Sequence, residues 1–193
     1  LALTTSLGLL GIAFAYRASY DGAAWAGLGR WLGLICMFVP VALRLLMHGP
    51  SRSERAGLLA VLTIGFYLVK VLYSPFDFKF VDELQHWRTA ADLLQTGQLF
   101  TYNYILPLSP LYPGLAIITT ALVIISGLKL VTAGLIVVGV AKLLFILSLF
   151  LFYEHVSKSA YVAGLGALIA MTNPHFLMFS SSFAYQSLAL PLG

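Results

Sequence analysis

The run VTAGLIVVGVAKLLFILSLFLFY, from Val131 to Tyr153, is apolar almost throughout and carries one charge, Lys142. A helix needs about 20 mainly apolar residues to cross the hydrocarbon core of a bilayer, so this run predicts a spanning helix. Leu1–Tyr16, Trp31–Met47, Ala56–Tyr73 and Ala160–Met178 read the same way, and Leu111–Leu128 is a sixth, shorter candidate. Composition agrees. With 60% hydrophobic and 9% charged residues and a mean hydropathy of +0.93, the chain lies outside the soluble globular range. The expected fold is all-α, a polytopic transmembrane helical bundle.

Several other functions are excluded or receive no support. The net charge of +4 comes from basic residues scattered among apolar segments, so it is no nucleic-acid signal. Leu1–Tyr16 lacks a basic lead and a small-residue cleavage site, which predicts a membrane helix rather than a signal peptide. The lone Cys36 has no internal partner and reads as packing. A first residue other than methionine and a last residue inside an apolar run predict a piece of a longer protein. There is no glycine-rich phosphate loop, nucleophile elbow or zinc-type cluster.

Charge sets the expected topology. His48–Arg55 (HGPSRSER) follows Arg44 and is the densest basic cluster, which the positive-inside rule puts in the cytoplasm. Residues 1–55 then form two additional N-terminal spans with a basic cytoplasmic loop. Residues 56–193 form the membrane core, with an external acidic loop over 74–130. If Leu111–Leu128 does not cross, Glu154–Ser159 returns to the cytoplasm and Phe179–Gln186 faces the same side as the acidic loop. If it crosses, those two polar regions lie on opposite sides; the shorter reading is favoured. Lys70, close to a helix end, is expected to snorkel toward the nearer interface, which Lys142 does less easily unless its helix begins late, near Gly139.

The polar island Phe76–Gly114 holds four of the seven acids: Asp77, Asp82, Glu83 and Asp92. Within it, Asp82–Thr96 predicts an amphipathic juxtamembrane helix with Leu84, Trp87, Ala91 and Leu94 on its apolar face. Glu83, His86, Asp92 and Gln95 fall on the remainder, and Gly97 is a C-terminal stop. Asp82 and Glu83 are the candidate catalytic residues. Adjacent carboxylates under apolar walls gain proton affinity, and one can act as a general base. The plainer alternative is that Asp82 is an N-cap with Gln85 closing a capping box. His86, one turn on, can orient Asp82 or simply be a solvated interfacial histidine. Arg88 and Asp92 have the spacing of an ordinary helix ion pair, although Arg88 can also hold a phosphate. A second polar place runs from Thr172-Asn173-Pro174-His175 to Tyr185-Gln186, where a pre-proline asparagine ends a helix.

An outward helix, then Phe80-Val81-Asp82-Glu83-Leu84-Gln85-His86, then Pro110-Leu111-Tyr112-Pro113, resembles the GT-C class of membrane glycosyltransferases. That class includes protein O-mannosyltransferases and aminoarabinose transferases. The likeness covers roughly residues 56–193. It implies a bacterial-type inner-membrane enzyme moving a sugar from a polyprenyl-phosphate donor to an acceptor at the external face, with the membrane lipid as its setting. By position, Asp82 matches the catalytic base, Glu83 its acidic neighbour and Tyr112 the loop tyrosine. The Phe183–Pro191 run resembles the second external loop, which adds Tyr185 and Gln186 to the substrate-binding candidates His86, Arg88, Lys79 and Tyr112. Two departures stand out. Gln186 occupies a place where an acid is expected, and the lysine some relatives carry before the proline-tyrosine stretch is missing, leaving Lys79 or Arg88 to neutralise phosphate. No metal ligands are assigned, and a divalent cation such as magnesium or manganese remains one way to stabilise the leaving phosphate. The rival expectations are a non-catalytic membrane protein that binds lipid-linked glycans, and a transporter.

Overall fold

The computed structural model describes residues 1–173, 176 and 179–192. Among these the chain is helical, with no strand: α1 (Ala2–Tyr20), α2 (Ala26–Leu46), α3 (Arg52–Tyr73), α4 (Val81–Thr96), α5 (Gly114–Ser126), α6 (Leu130–Ser157), α7 (Ala160–Met171) and a short helix Tyr185–Ala189. Single 3₁₀ turns occur at Ser109–Leu111 and Phe179–Ser181. Among the described residues, α2, α3 and α6 are the three helices long and apolar enough to cross a membrane. α1 has 19 residues but is interrupted by Thr4, Thr5, Ser6 and Arg17. α5 has only 13 residues and α7 only 12. At 1.5 Å per residue they reach about 20 Å, short of the roughly 30 Å hydrocarbon core. The expected Ala160–Met178 span is thus a helix ending at Met171. Beyond it Thr172, Asn173 and Phe176 are described, while Pro174, His175, Leu177 and Met178, and with them the expected Asn173-Pro174 break, lie outside the described residues.

The chain forms two compact units, Leu1–Tyr73 with Ile146–Leu177, and Ser74–Phe145 with Met178–Gly193. In the first, α1 packs on α2 through glycines. A Cβ on Gly8 would sit 2.6 Å from the Gly33 carbonyl, and one on Gly33 would sit 2.8 Å from the Gly8 carbonyl. Small residues that let helix backbones touch are the usual contact where lipid removes the hydrophobic drive to associate. Met37 and Ile12 fill the seam, and α3 joins it at Gly65 against Met37 and Thr5.

The basic cluster at this unit's polar end is a structural knot. Arg55 is 2% exposed, and its guanidinium donates to the carbonyls of Leu45 and Met47, each at 2.6 Å. Those are final carbonyls of α2, which have no partner inside the helix, and a cation there also suits the helix dipole. The same guanidinium lies 4.9 Å above the Tyr161 ring. Arg44 pairs with Glu54 at 2.7 Å. Arg52 takes Glu154 in a fork, with nitrogen–oxygen distances of 2.8–3.0 Å. The first turn of α3 therefore meets the last turn of α6, and the loop after α2 meets the start of α7 through the His48–Tyr161 stack.

In the second unit α4 packs against α5, and Phe78 stacks on Phe183 at 4.7 Å beside Gly134 of α6. Two sequence expectations fail here. α4 begins at Val81, and its N-cap is the extended Phe80, not Asp82. The capping acid is Glu83, whose carboxylate accepts from the Phe80 and Lys79 N–H groups at 3.4 and 3.3 Å, so Gln85 closes no box. The buried face also differs. Glu83, His86, Thr89 and Ala90 are buried, while Leu84, Trp87 and Leu94 stay exposed. A hydrogen-bonded polar seam, rather than the apolar stripe, holds α4 to the protein. Gly97 ends the helix as expected, with φ of 67°.

The two lysines of the long apolar helices α3 and α6 are buried in protein rather than extended toward a helix end. Lys70 and Lys142 are 6% and 1% exposed. Lys142 donates to the buried Ser181 hydroxyl. Burying an ammonium is costly unless an acceptor meets it, and Ser181 supplies one.

Candidate functional site

Glu83 is the centre of the second unit's polar seam and is fully buried. One carboxylate oxygen accepts the Phe183 N–H at 3.0 Å, while the other takes the two α4 N-terminal N–H groups already described. Charge-assisted bonds of this kind fix a backbone firmly. One acid thereby joins the start of α4 to a segment 100 residues later. Lys142 of α6 grips the same segment two residues upstream, at Ser181. A buried acid and a buried base thus set the course of residues 181–185 into the short helix that carries Tyr185.

A second network lies one turn along α4. His86 Nδ1 is 2.9 Å from Ser109 Oγ, and Ser109 Oγ is 2.8 Å from Thr89 Oγ1. Asn103 donates to Thr89 Oγ1 at 3.1 Å and accepts from the Ile105 and Leu106 N–H groups. His86 is 6% exposed, which replaces the expected solvated histidine with a buried, bonded one. Burial lowers its pKa from the usual 6.5, opposed more weakly by the Asp82 carboxylate, so the imidazole is neutral near pH 7. Its ring meets Tyr185 edge-on at 5.0 Å, and Tyr185 stacks on Tyr112 at 5.1 Å.

The stacked tyrosines open into an apolar groove of about 330 Å³ between Leu111–Leu115 on one side and Tyr185, Leu188 and Leu192 on the other. Asp82 stands at the exposed edge of α4, one turn before His86. The candidate residues therefore separate into three groups. His86, Tyr185 and Tyr112 meet ring to ring, Glu83 reaches them only through the Phe183 N–H two residues before Tyr185, and Asp82 joins through its charge on His86. Arg88 is engaged elsewhere, 4.8 Å over the Tyr104 ring and 3.7 Å from Asp92, the expected helix pair. Lys79 is exposed, and its backbone N–H serves Glu83. Gln186 is half-buried and gives its backbone carbonyl to Leu190.

Among the described residues no three His, Cys, Asp or Glu side chains converge as a metal site. Both oxygens of Glu83 are taken by N–H donors, so the acidic pair offers only the Asp82 carboxylate. A divalent cation does not fit this donor set, and no step below runs through one. Comparison of the chain with protein-family models, with curated proteins and with solved structures gives no match.

Sequence reading missed Ser109, Asn103, Thr89, Ser181 and Phe183. Only Ser109 carried a local signal, since it sits in the proline-rich turn beside Tyr112. The others act through contacts 14 to 100 residues away in the chain.

Proposed function

We propose that the chain is the membrane-embedded part of a glycosyltransferase of the GT-C type, transferring a sugar from a polyprenyl phosphate to an acceptor at the external face. The observation that carries this reading is the position of Asp82, an exposed carboxylate one turn from a buried neutral histidine that abuts a tyrosine-walled apolar groove. Asp82 takes the proton of the acceptor hydroxyl or amine as that atom attacks the anomeric carbon. The carbon–oxygen bond to the lipid phosphate breaks, and the phosphate leaves with the electron pair without needing a proton. One proton acceptor is therefore sufficient, which matches a site where Glu83 is committed to backbone bonds. The groove gives the prenyl chain an apolar wall, Tyr112 and Tyr185 offer faces to a sugar, and the exposed Lys79, rather than the engaged Arg88, meets the phosphate as charge builds on it.

Topology supports the same reading. Arg52 and Glu154 form an ion pair, so an even number of crossings separates them. In this reading α3 and α6 supply two, and α5, with 13 residues, is too short to add a third. With the arginine-rich end cytoplasmic, the loop bearing α4 lies at the external surface of a bacterial-type inner membrane, its exposed Leu84, Trp87 and Leu94 toward the lipid interface.

The test is sugar transfer from a labelled polyprenyl-phosphate donor by the full-length protein carrying Asp82→Asn. Loss of transfer with unchanged donor binding is expected; wild-type turnover would overturn the reading. A second reading, a subunit that binds lipid-linked glycans without catalysis, draws support from the engaged Glu83 and from Gln186 at the acid position. Donor binding with no transfer to any acceptor by the wild-type protein would favour it.

A further inference from the structure

The first unit contains a cleft far from Asp82 in sequence and unrelated to the transfer chemistry. It measures about 280 Å³ and is lined by Ile12 and Tyr16 of α1, Arg30, Trp31 and Leu34 of α2, and Val69 of α3. We propose that this cleft is a binding site for an anionic phospholipid, with the headgroup phosphate on Arg30 and one acyl chain along Ile12, Leu34 and Val69.

Arg30 carries the argument. It sits in the second turn of α2, one of the helices able to cross a membrane, and its side chain is exposed. Its guanidinium lies 5.8 Å from the Tyr16 ring centroid, and no carboxylate pairs with it among the described residues. The other cation of the α1–α2 hairpin, Arg17, already has Asp21 at 3.7 Å. A guanidinium does not shed its proton, so at the edge of a hydrocarbon layer it requires an anion or water. Its planar fork fits two phosphate oxygens.

The surroundings select a lipid over free phosphate. Trp31 is 67% exposed and stands beside the arginine, where indole and phenol rings ordinarily mark the level of lipid headgroups. Below them the lining is aliphatic, which an inorganic anion would not use. The volume is just under the range of about 300–1,000 Å³ typical of sites that enclose a compact small molecule, and suits an extended chain. A net-negative headgroup is favoured over a zwitterionic one. The latter brings its own cation beside Arg30, where Asp21 is already paired and the α1–α2 hairpin holds no other acid.

The test equilibrates the full-length protein with phosphatidylcholine vesicles containing a minor share of phosphatidylglycerol. The protein is then re-extracted in mild detergent and its retained lipid is quantified by mass spectrometry. Wild type should enrich phosphatidylglycerol above its share in the vesicle. Arg30→Gln should lower that enrichment roughly tenfold, as the loss of one charge-assisted contact implies, whereas Arg17→Gln should leave it unchanged. Leu34→Trp fills the trough while keeping Arg30, and should also abolish enrichment. Excess inorganic phosphate should not displace the lipid. Undiminished enrichment in Arg30→Gln overturns the site. Undiminished enrichment in Leu34→Trp, or displacement by phosphate, reduces it to an exposed cation attracting anions. Helical circular dichroism of each variant separates these outcomes from misfolding.

Discussion

The molecule has two concentrations of charge, and they are used in opposite ways. At the polar end of the first unit every described charge of the arginine cluster is matched: Arg44 by Glu54, Arg52 by Glu154, and Arg55 by two carbonyls and a tyrosine face. In the acidic island of the second unit only part of the charge is spent. Glu83 is consumed by three N–H donors and Asp92 faces Arg88, but Asp77 in the loop and Asp82 at the helix start are exposed. A saturated cluster holds helices together. A cluster with acids in reserve has something left to react with, and Asp82, one turn from His86, is the one placed beside the tyrosine groove; that contrast, more than the number of acids, distinguishes a candidate site from a joint.

The contrast breaks most sharply at Asp82. Asp82→Asn should reduce sugar transfer by about 10²–10⁴, the usual contribution of a general base. Because the side chain is exposed and caps nothing, the thermal midpoint of the detergent-solubilised protein should stay within the range of ordinary surface substitutions. Stability loss with proportionate activity loss would turn the island into a second joint. Arg55→Gln is the converse. It leaves two helix-end carbonyls of α2 without their donor in a buried place, and should cost about 2–4 kcal/mol in chemical unfolding. Should that variant melt like wild type, the arginine cluster is ornamental and the comparison loses one side.

Glu83→Gln sharpens the distinction between neighbours. An amide keeps one acceptor oxygen but turns N–H donors toward backbone N–H donors, so either the Phe183 bond or the α4 cap must fail. The expected loss is about 1–3 kcal/mol, seen in the melting of the protein with or without substrate. A variant that retains stability while losing transfer would return Glu83 to the chemistry and remove it from the framework.

Much of the architecture was legible beforehand, for physical reasons particular to this chain. Apolar runs such as Val131–Tyr153 declare a long helix because lipid leaves the backbone no other partner than itself. Gly97 declared the end of α4 because a left-handed φ suits a residue without Cβ. The acidic island could be named because polar groups are conspicuous in an oily chain, whereas tyrosines 112 and 185 became binding candidates only through the GT-C resemblance. What could not be read was orientation. Periodicity put Glu83 and His86 on the wet side of α4 because it scores polarity, whereas the fold satisfies that polarity internally with Ser109, Thr89, Asn103 and the Phe183 amide. The same blindness affected Lys142, which looked stranded until Ser181, 39 residues later, came beside it.

His86 gives the gentlest and most selective probe of that buried seam. Burial disfavours the imidazolium, so the folded-state pKa lies below 6.5. As pH falls, the unfolded chain therefore takes up a proton before the folded one does. The stability associated with a neutral His86 is complete above about pH 6.5 and erodes as pH drops below it through the folded-state value. Melting followed from neutral to mildly acidic pH should decline more steeply for wild type than for His86→Gln, which can keep a hydrogen bond to Ser109 but cannot titrate. The effect is small because the Asp82 charge offsets part of the burial penalty. For the same reason Asp82→Asn, which removes that charge, should lower the folded-state histidine pKa further, so that the acid limb starts at the same pH but runs to lower pH and goes deeper. Parallel acid limbs in wild type and both variants would mean that His86 is open to water in solution, and that the wall behind Tyr185 is looser than the bonded seam requires.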